Sequence, residues 1–260
     1  MKCYEIIEKL ETLSPIAFAE QWDNIGLLAG RRDKEVRTVY IALDASDDVI
    51  EEAVRLGADL LITHHPLIFK KLDRVTTDDF IGRRVCELIR NDISYYAMHT
   101  NFDVMGMADA AADELALTDR QVLNVTYEDD ISKEGCGRVG TLRERMSVAD
   151  LAALVKEKFH VPNVRIFGEP GDIVEVAAVM PGSGGSYIGD ALRAGADVMI
   201  TGDIDHHEGI DAVAQGIVLI DAGHYGIEKL FIAYMEEFLN RELPGLQVYK
   251  AEIREPFTVV

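Results

Sequence analysis

His64 and His65 stand side by side at the end of an apolar run, Leu60-Leu-Ile-Thr-His-His-Pro66. Neutral imidazole is the commonest side-chain metal ligand. Neighbouring residues of a strand point to opposite faces, so two adjacent histidines leaving a strand are poorly placed to grip one ion and suited to holding one each. Pro66 biases His65 towards extended backbone and delays any helix. Two further apolar runs end in possible ligands. Ile93-Ser-Tyr-Tyr-Ala-Met-His-Thr-Asn-Phe-Asp103 offers His99, Asn101 and Asp103, and Val218-Leu-Ile-Asp-Ala-Gly-His-Tyr-Gly-Ile-Glu228 offers His224 and Glu228. If a helix starts just after Gly223, His224 and Glu228 are spaced i, i+4 and share one face. The positive end of that helix is expected to keep His224 neutral and able to ligate.

Together these positions offer three imidazoles and the carboxylates of Asp103 and Glu228, with no thiolate, a set that suits zinc, iron or manganese better than calcium. Two ions about 3.5–4 Å apart need a bridging carboxylate. Glu228 is expected to bridge, with Asp103 terminal on one ion. Such a pair points to a hydrolase in which metal-bound hydroxide is the nucleophile, with His99 or His207 moving protons. His206 and His207 follow Thr201-Gly-Asp203 and are placed near the same cleft. Gly182-Ser-Gly-Gly-Ser186 reads either as an anion-holding loop before a helix or as a tight strand-to-helix turn. Trp22-Asp-Asn-Ile-Gly26 reads as a turn into a strand, with Trp22 packing rather than stacking on a substrate.

The elements that must position these residues alternate between helix and short apolar strand. The pattern predicts strands at Val36–Leu43, Asp59–Thr63 and Ile93–His99 and helices at Asp44–Leu56 and Asp78–Asn91. That is the signature of an α/β fold with mostly parallel or mixed sheets, which deliver functional residues at strand C-terminal ends. The unit recurs. Val54-Arg-Leu-Gly-Ala-Asp-Leu-Leu-Ile-Thr63 matches Leu192-Arg-Ala-Gly-Ala-Asp-Val-Met-Ile-Thr201 at a shift of 138 residues (192 − 54). Two related α/β domains facing a shared metal-containing cleft are therefore expected. A boundary is placed near residue 125, within a polar stretch Tyr127–Gly140, ahead of a strand at Gly137–Leu142 and a helix Val148–Phe159 capped by Ser147. A last helix at Tyr225–Asn240 would return to the first half. The expected division is residues 1–125 with 224–260 as the metal-binding domain and 126–223 as the second.

Composition narrows the classes. Over 260 residues, 26 Lys and Arg against 46 Asp and Glu give a formal charge of −20, which repels phosphate backbones and makes nucleic acid an unlikely partner. Cys3, Cys86 and Cys136 are widely spaced and form no C-x-x-C pair, fitting a reducing cytosol and excluding a thiolate zinc cage. The N-terminus reads as an amphipathic helix rather than a signal peptide, and no run reaches the roughly 20 apolar residues of a membrane span. A soluble cytoplasmic protein is expected.

Together, Ala19-Glu-Gln-Trp-Asp-Asn-Ile-Gly-Leu27, Thr63-His-His-Pro66, His99-Thr-Asn-Phe-Asp103, Ile200-Thr-Gly-Asp203 with His206-His207, and Gly223-His-Tyr-Gly-Ile-Glu228 resemble the NIF-three-like dinuclear-metal proteins, many of them called GTP cyclohydrolase 1 type 2 homologues. The motifs run in family order over nearly the whole chain. The resemblance implies two α/β domains and a toroidal homohexamer of trimers enclosing a cavity onto which the metal sites open. Carried over by position, it implies His64, Asp103 and Glu228 on one ion and His65, His224 and Glu228 on the other. The implied reaction is hydrolysis of a nucleotide, hydroxide attacking C8 of the guanine of GTP with release of formate. Other readings of the same centre are a phosphoesterase-type hydrolase on another small molecule, or a non-catalytic metal-binding or regulatory hexamer. The chain departs from the family in two respects. It has no room for the mid-chain domain of longer members, and Ile227 stands before Glu228 where threonine is often expected.

Overall fold

Runs of Val, Ile and Leu too short for helices become the inner strands of two sheets in the computed structural model, which describes residues 1–258. Among the described residues eleven strands, numbered β1 to β11, divide between two units. The fold is mixed α/β.

The first unit comprises Met1–Phe102 and Phe231–Ile253. Its sheet has the order β1-β4-β3-β2-β11, where β1 is Gly26–Ala29, β2 Thr38–Ala42, β3 Leu60–Thr63, β4 Ser94–Ala97 and β11 Gln247–Lys250. Strands β11, β2, β3 and β4 are parallel, and β1 closes one edge antiparallel to β4. The helices Asp47–Arg55 and Phe80–Arg90 make the crossovers that parallel pairing demands. All four residues of β3 are buried, which is why it reads as a continuous apolar run and not an alternating one.

The second unit comprises Asp103–Leu230 and the segment from Arg254. Its sheet has the order β5-β6-β8-β9-β10-β7, with β5 Thr118–Glu128, β6 Lys133–Ser147, β7 Arg165–Phe167, β8 Ile173–Ser183, β9 Val198–Gly202 and β10 Val218–Asp221. Only β8, β9 and β10 are parallel to one another. The antiparallel β5–β6 hairpin occupies the polar stretch read as a boundary, because it is a half-exposed pair whose polar residues face outward. The unit boundaries accordingly lie at Phe102/Asp103 and Leu230/Phe231 rather than near 125 and 224. Ser147 caps the helix Val148–Lys158, accepting the Asp150 N–H at 3.1 Å. The final helix is interrupted, as His224–Glu228 and then Leu230–Glu242.

The repeat extends to individual hydrogen bonds. Asp59 accepts the N–H groups of Arg37 (2.8 Å) and Thr38 (3.1 Å), and Asp197 accepts those of Glu175 and Val176 (both 2.9 Å). Every residue of one clasp lies 138 positions from its counterpart. The pairing Val39↔Leu60 recurs as Ala177↔Val198, and the helix-ending Gly57 (φ 62°) as Gly195 (φ 76°). Among the described residues no helix is long and apolar enough to cross a membrane.

Candidate metal centre

The tip of β3 carries His64 and His65, and its neighbours hold them apart. His64 Nδ1 lies 2.7 Å from the Met98 carbonyl beyond β4, and His65 Nδ1 lies 2.8 Å from the Asp44 carboxylate beyond β2. The two rings lean towards opposite flanks, their centroids 4.9 Å apart. His64 is fully buried against Phe102 and Phe231. Buried Tyr95 fixes the turn beneath them. Its hydroxyl lies 2.7 Å from Thr63 Oγ1 and 3.0 Å from the His65 carbonyl, and accepts the Leu67 N–H at 2.7 Å.

His99 follows β4, and its Nδ1 is 2.9 Å from Asp23. The Asp23 side chain is wholly buried and also accepts the Thr100 N–H (3.0 Å) and hydroxyl (2.6 Å). Burial alone would raise its pKa, but the hydrogen bonds from His99 and Thr100 outweigh it and hold the carboxyl down at about 2. Donor nitrogens of His64, His65 and His99 all lie within 4.8 Å of one another, close enough to share an ion. Asn101, a candidate ligand in the sequence, instead donates to the Ser14 carbonyl at 2.8 Å and is buried as a structural link.

In the second unit, Gly223 (φ 79°) turns the chain into the helix His224–Glu228, where the spacing placed it. Asp221 holds the turn by accepting the N–H groups of Gly223 (2.9 Å) and Ile204 (3.1 Å), and pairs with Arg165. His224 Nε2 is 2.9 Å from Glu228, and His224 Nδ1 is 2.8 Å from Asp203. The expectation of a neutral His224 does not survive in the metal-free chain. Burial opposes the charge, but Glu228 and then Asp203 outweigh it, raising the pKa to about 9. Asp103 opens a short π-helical stretch, Asp103–Met107, a wider turn that re-aims a side chain within a helix.

Gly182-Ser-Gly-Gly-Ser186 makes room for the chain's own carboxylates. A Cβ at Gly182 would lie 2.3 Å from Glu228 Oε1, and one at Gly185 would lie 2.0 Å from Glu208 Oε1. Two acidic groups on the loop would repel phosphate. His206 and His207 begin the helix His206–Ala214, exposed, their rings 5.1 Å apart. Among the described residues neither joins a group of three donors close enough to share an ion. Ile227 is fully buried in the second unit's core. Trp22 packs on the rings of Phe69 and His99, 5.7 and 5.9 Å away, yet stays 57% exposed, because the buried residue of its turn is Asp23.

The donor set fits divalent metal ions. His64, His65 and His224 each commit Nδ1 to a carbonyl or carboxylate, the arrangement that fixes the tautomer and presents Nε2 to a metal. Sequence reasoning found these histidines and His99 but missed the acids behind three of the four, Asp44 at His65, Asp203 at His224 and Asp23 at His99. One signal was available. Asp44 precedes His65 by 21 residues, and Asp203 precedes His224 by 21, each spanning one strand–helix–strand unit.

The chain is 34% identical over 264 residues to a Clostridium perfringens protein named GTP cyclohydrolase 1 type 2 homolog, covering all of both chains. The solved structure of a Bacillus cereus protein related to NIF3 superposes with a TM-score of 0.90 at 26% identity, covering 100% of this chain and 99% of that one. A hypothetical protein of Staphylococcus aureus gives 0.89 at 31% identity over the same shares. A family model matches residues 1–256, and the chain belongs to the Duf34/NIF3 (NGG1p interacting factor 3) family.

Proposed function

We propose that this chain binds two divalent metal ions, zinc, iron or manganese, and is a metal-dependent hydrolase acting on a nucleotide, with GTP as the first candidate. The reading assigns His64, Asp103 and Glu228 to one ion and His65, His224 and Glu228 to the other. The observation that carries it is the support behind every proposed histidine ligand. Met98, Asp44 and Asp203 each engage an Nδ1, an investment that an incidental surface imidazole does not need. The name of the C. perfringens relative supports the choice of GTP.

When bound, such ions supply Lewis acidity and lower the pKa of water to about 7. The chain's own residues do the rest. Glu228, buried against Gly182, has its carboxylate fixed rather than free to swing. His99 is assigned the proton transfer in preference to His207. Asp23 holds its Nδ1, leaving Nε2 to accept or return a proton, whereas His207 is exposed and backed only by the ring of His206. In the cyclohydrolase reaction one water adds at C8 and opens the imidazole ring of guanine to a formamide. A second water then cleaves that amide and releases formate. A homohexamer is proposed on the family resemblance, to be tested by sedimentation as a mass six times that of the chain.

The deciding experiment measures bound metal and formate release from GTP for protein loaded in turn with zinc, iron(II) and manganese, beside Glu228→Ala. Metal-dependent formate, lost with metal in the variant, supports the reading. Full metal occupancy in Glu228→Ala removes the bridging role. Phosphate without formate moves the activity to a phosphoesterase, and neither product from any loaded form leaves a non-catalytic metal protein.

A further inference from the structure

Trp22 is the only tryptophan of the chain. It is 57% exposed, and Phe69 is 50% exposed. Their ring centroids lie 5.7 Å apart with planes tilted by 39°, and they lie 5.9 and 6.0 Å respectively from the ring of His99. Neither ring is exposed through looseness of its loop. The Trp22 turn is pinned by the buried Asp23 carboxylate, by the Glu20 N–H donating to Thr100 Oγ1 at 2.9 Å, and by the Asn24 amide donating to the carbonyl of Ile68, which precedes Phe69. Two large aromatic faces are thus held open to solvent beside the imidazole of His99, whose ring is 5.3 and 5.6 Å from those of His64 and His65. Phe69 is followed at once by exposed Lys70 and Lys71, a local positive charge in a chain of net −20.

We propose that Trp22 and Phe69 form a ring-binding platform for the base of a purine nucleotide, with Lys70 and Lys71 meeting its phosphates. The inference rests on the metal-centre reading only for why a nucleotide should be brought there. Stacking on a π-face tolerates any planar base, and it also serves an acidic protein that cannot rely on a broad positive surface to gather an anionic ligand. At 5.7 Å the two rings pack on each other, and their solvent-facing sides together offer a surface on which a flat ring stacks. The T-shaped contacts of both rings with His99 put that surface next to this imidazole.

The single tryptophan makes the test direct. Fluorescence of the full-length chain is titrated with guanosine, GTP, inorganic triphosphate and ribose, in chelator and again with zinc. Saturable quenching by guanosine and GTP, but not ribose, is expected with or without metal. Phe69→Ala should weaken guanosine and GTP alike by about 5- to 150-fold, the range for losing one base-stacking contact, and Phe69→Trp should restore binding. Lys70→Ala with Lys71→Ala should weaken GTP and leave guanosine unchanged. Absence of quenching by guanosine, or equal affinity in Phe69→Ala, overturns the platform. So does loss of assembly mass in Phe69→Ala at unchanged nucleotide affinity, which assigns the aromatic pair to a contact with a second copy. Guanosine binding without formate release keeps the platform and removes the cyclohydrolase reaction. Formate release with unchanged KM in Phe69→Ala does the reverse.

Discussion

Replacing Gly182 with alanine tests whether the glycine loop exists to seat Glu228. The residue has φ +72°, and an added Cβ would lie 2.3 Å from Glu228 Oε1 and 3.7 Å from His224 Cε1. Left-handed backbone costs an L-residue about 1–2 kcal/mol. Forcing a methyl into packed surroundings adds about 1–3 kcal/mol. Glu228 is only 3% exposed, so its carboxylate has nowhere to retreat without moving the helix that carries it. The expected loss is therefore about 2–5 kcal/mol. Gly195 is the internal control, since it has φ +76° but nothing within 4 Å of its Cβ position. Gly195→Ala should lose only the backbone part, about 1–2 kcal/mol. Urea unfolding followed by circular dichroism gives both stabilities, and calorimetric zinc titration gives the affinities. Gly182→Ala should be the less stable variant and should also bind zinc more weakly, while Gly195→Ala binds it as the unmodified chain does. Equal stability losses with unchanged zinc affinity in both would refute the claim that Gly182 makes room for Glu228.

Four further outcomes are expected. Asp203→Asn should weaken zinc binding by about 10- to 100-fold with little change in stability, measured by competition with a chromogenic chelator; an unchanged affinity would separate Asp203 from ligand support. Tyr95→Phe should cost about 1–3 kcal/mol by leaving the Leu67 N–H without its acceptor, read as a shift in the urea midpoint. Asp23 has a folded pKa of about 2 against an ordinary 3.8, so its contribution, about 2 kcal/mol, is present above 3.8 and lost as pH falls through about 2. The stability difference between the parent chain and Asp23→Asn should shrink across that window, and a constant difference would contradict the assignment. Because metal-free His224 titrates at about 9, zinc binding through it must displace a proton at neutral pH. Apparent affinity should rise about tenfold per pH unit towards 9 and then level, and a flat profile from 7 to 9 would count against His224 as a ligand.

The strands that lead to the proposed ligands were legible because buried parallel strands leave continuous apolar runs; β3 ended at Thr63 as expected, while β4 ended at Ala97, two residues short of His99. The helix His224–Glu228 was legible because Gly223 and the i, i+4 spacing both marked it. The long β5–β6 hairpin was not, since its exposed, polar strands share the composition of a loop and depend on each other for their hydrogen bonds. Strand β7 has three residues, too few for any periodic signal. The supporting aspartates were hidden for a different reason. Asp44 and Asp203 stand at strand ends like many acidic residues, and only pairing of neighbouring strands brings each to its histidine. The exposure of Trp22 was not legible because large aromatic residues are usually buried, and nothing local reveals that the adjacent Asp23 takes the interior position.

The two aspartate–histidine pairs carry a historical implication. The duplication sets β2 and β3 against β8 and β9, down to the matching clasps of Asp59 and Asp197. The pair Asp44–His65 spans β2 and β3, whereas Asp203–His224 spans β9 and β10, one strand further along. Duplication would have carried Asp44 and His65 to positions 182 and 203, now Gly182 and Asp203. The two pairs are therefore not copies of one ancestral pair. Each half arrived separately at a carboxylate on one parallel strand tip steadying an imidazole on the next, with the position equivalent to a histidine in one half serving as the supporting acid in the other.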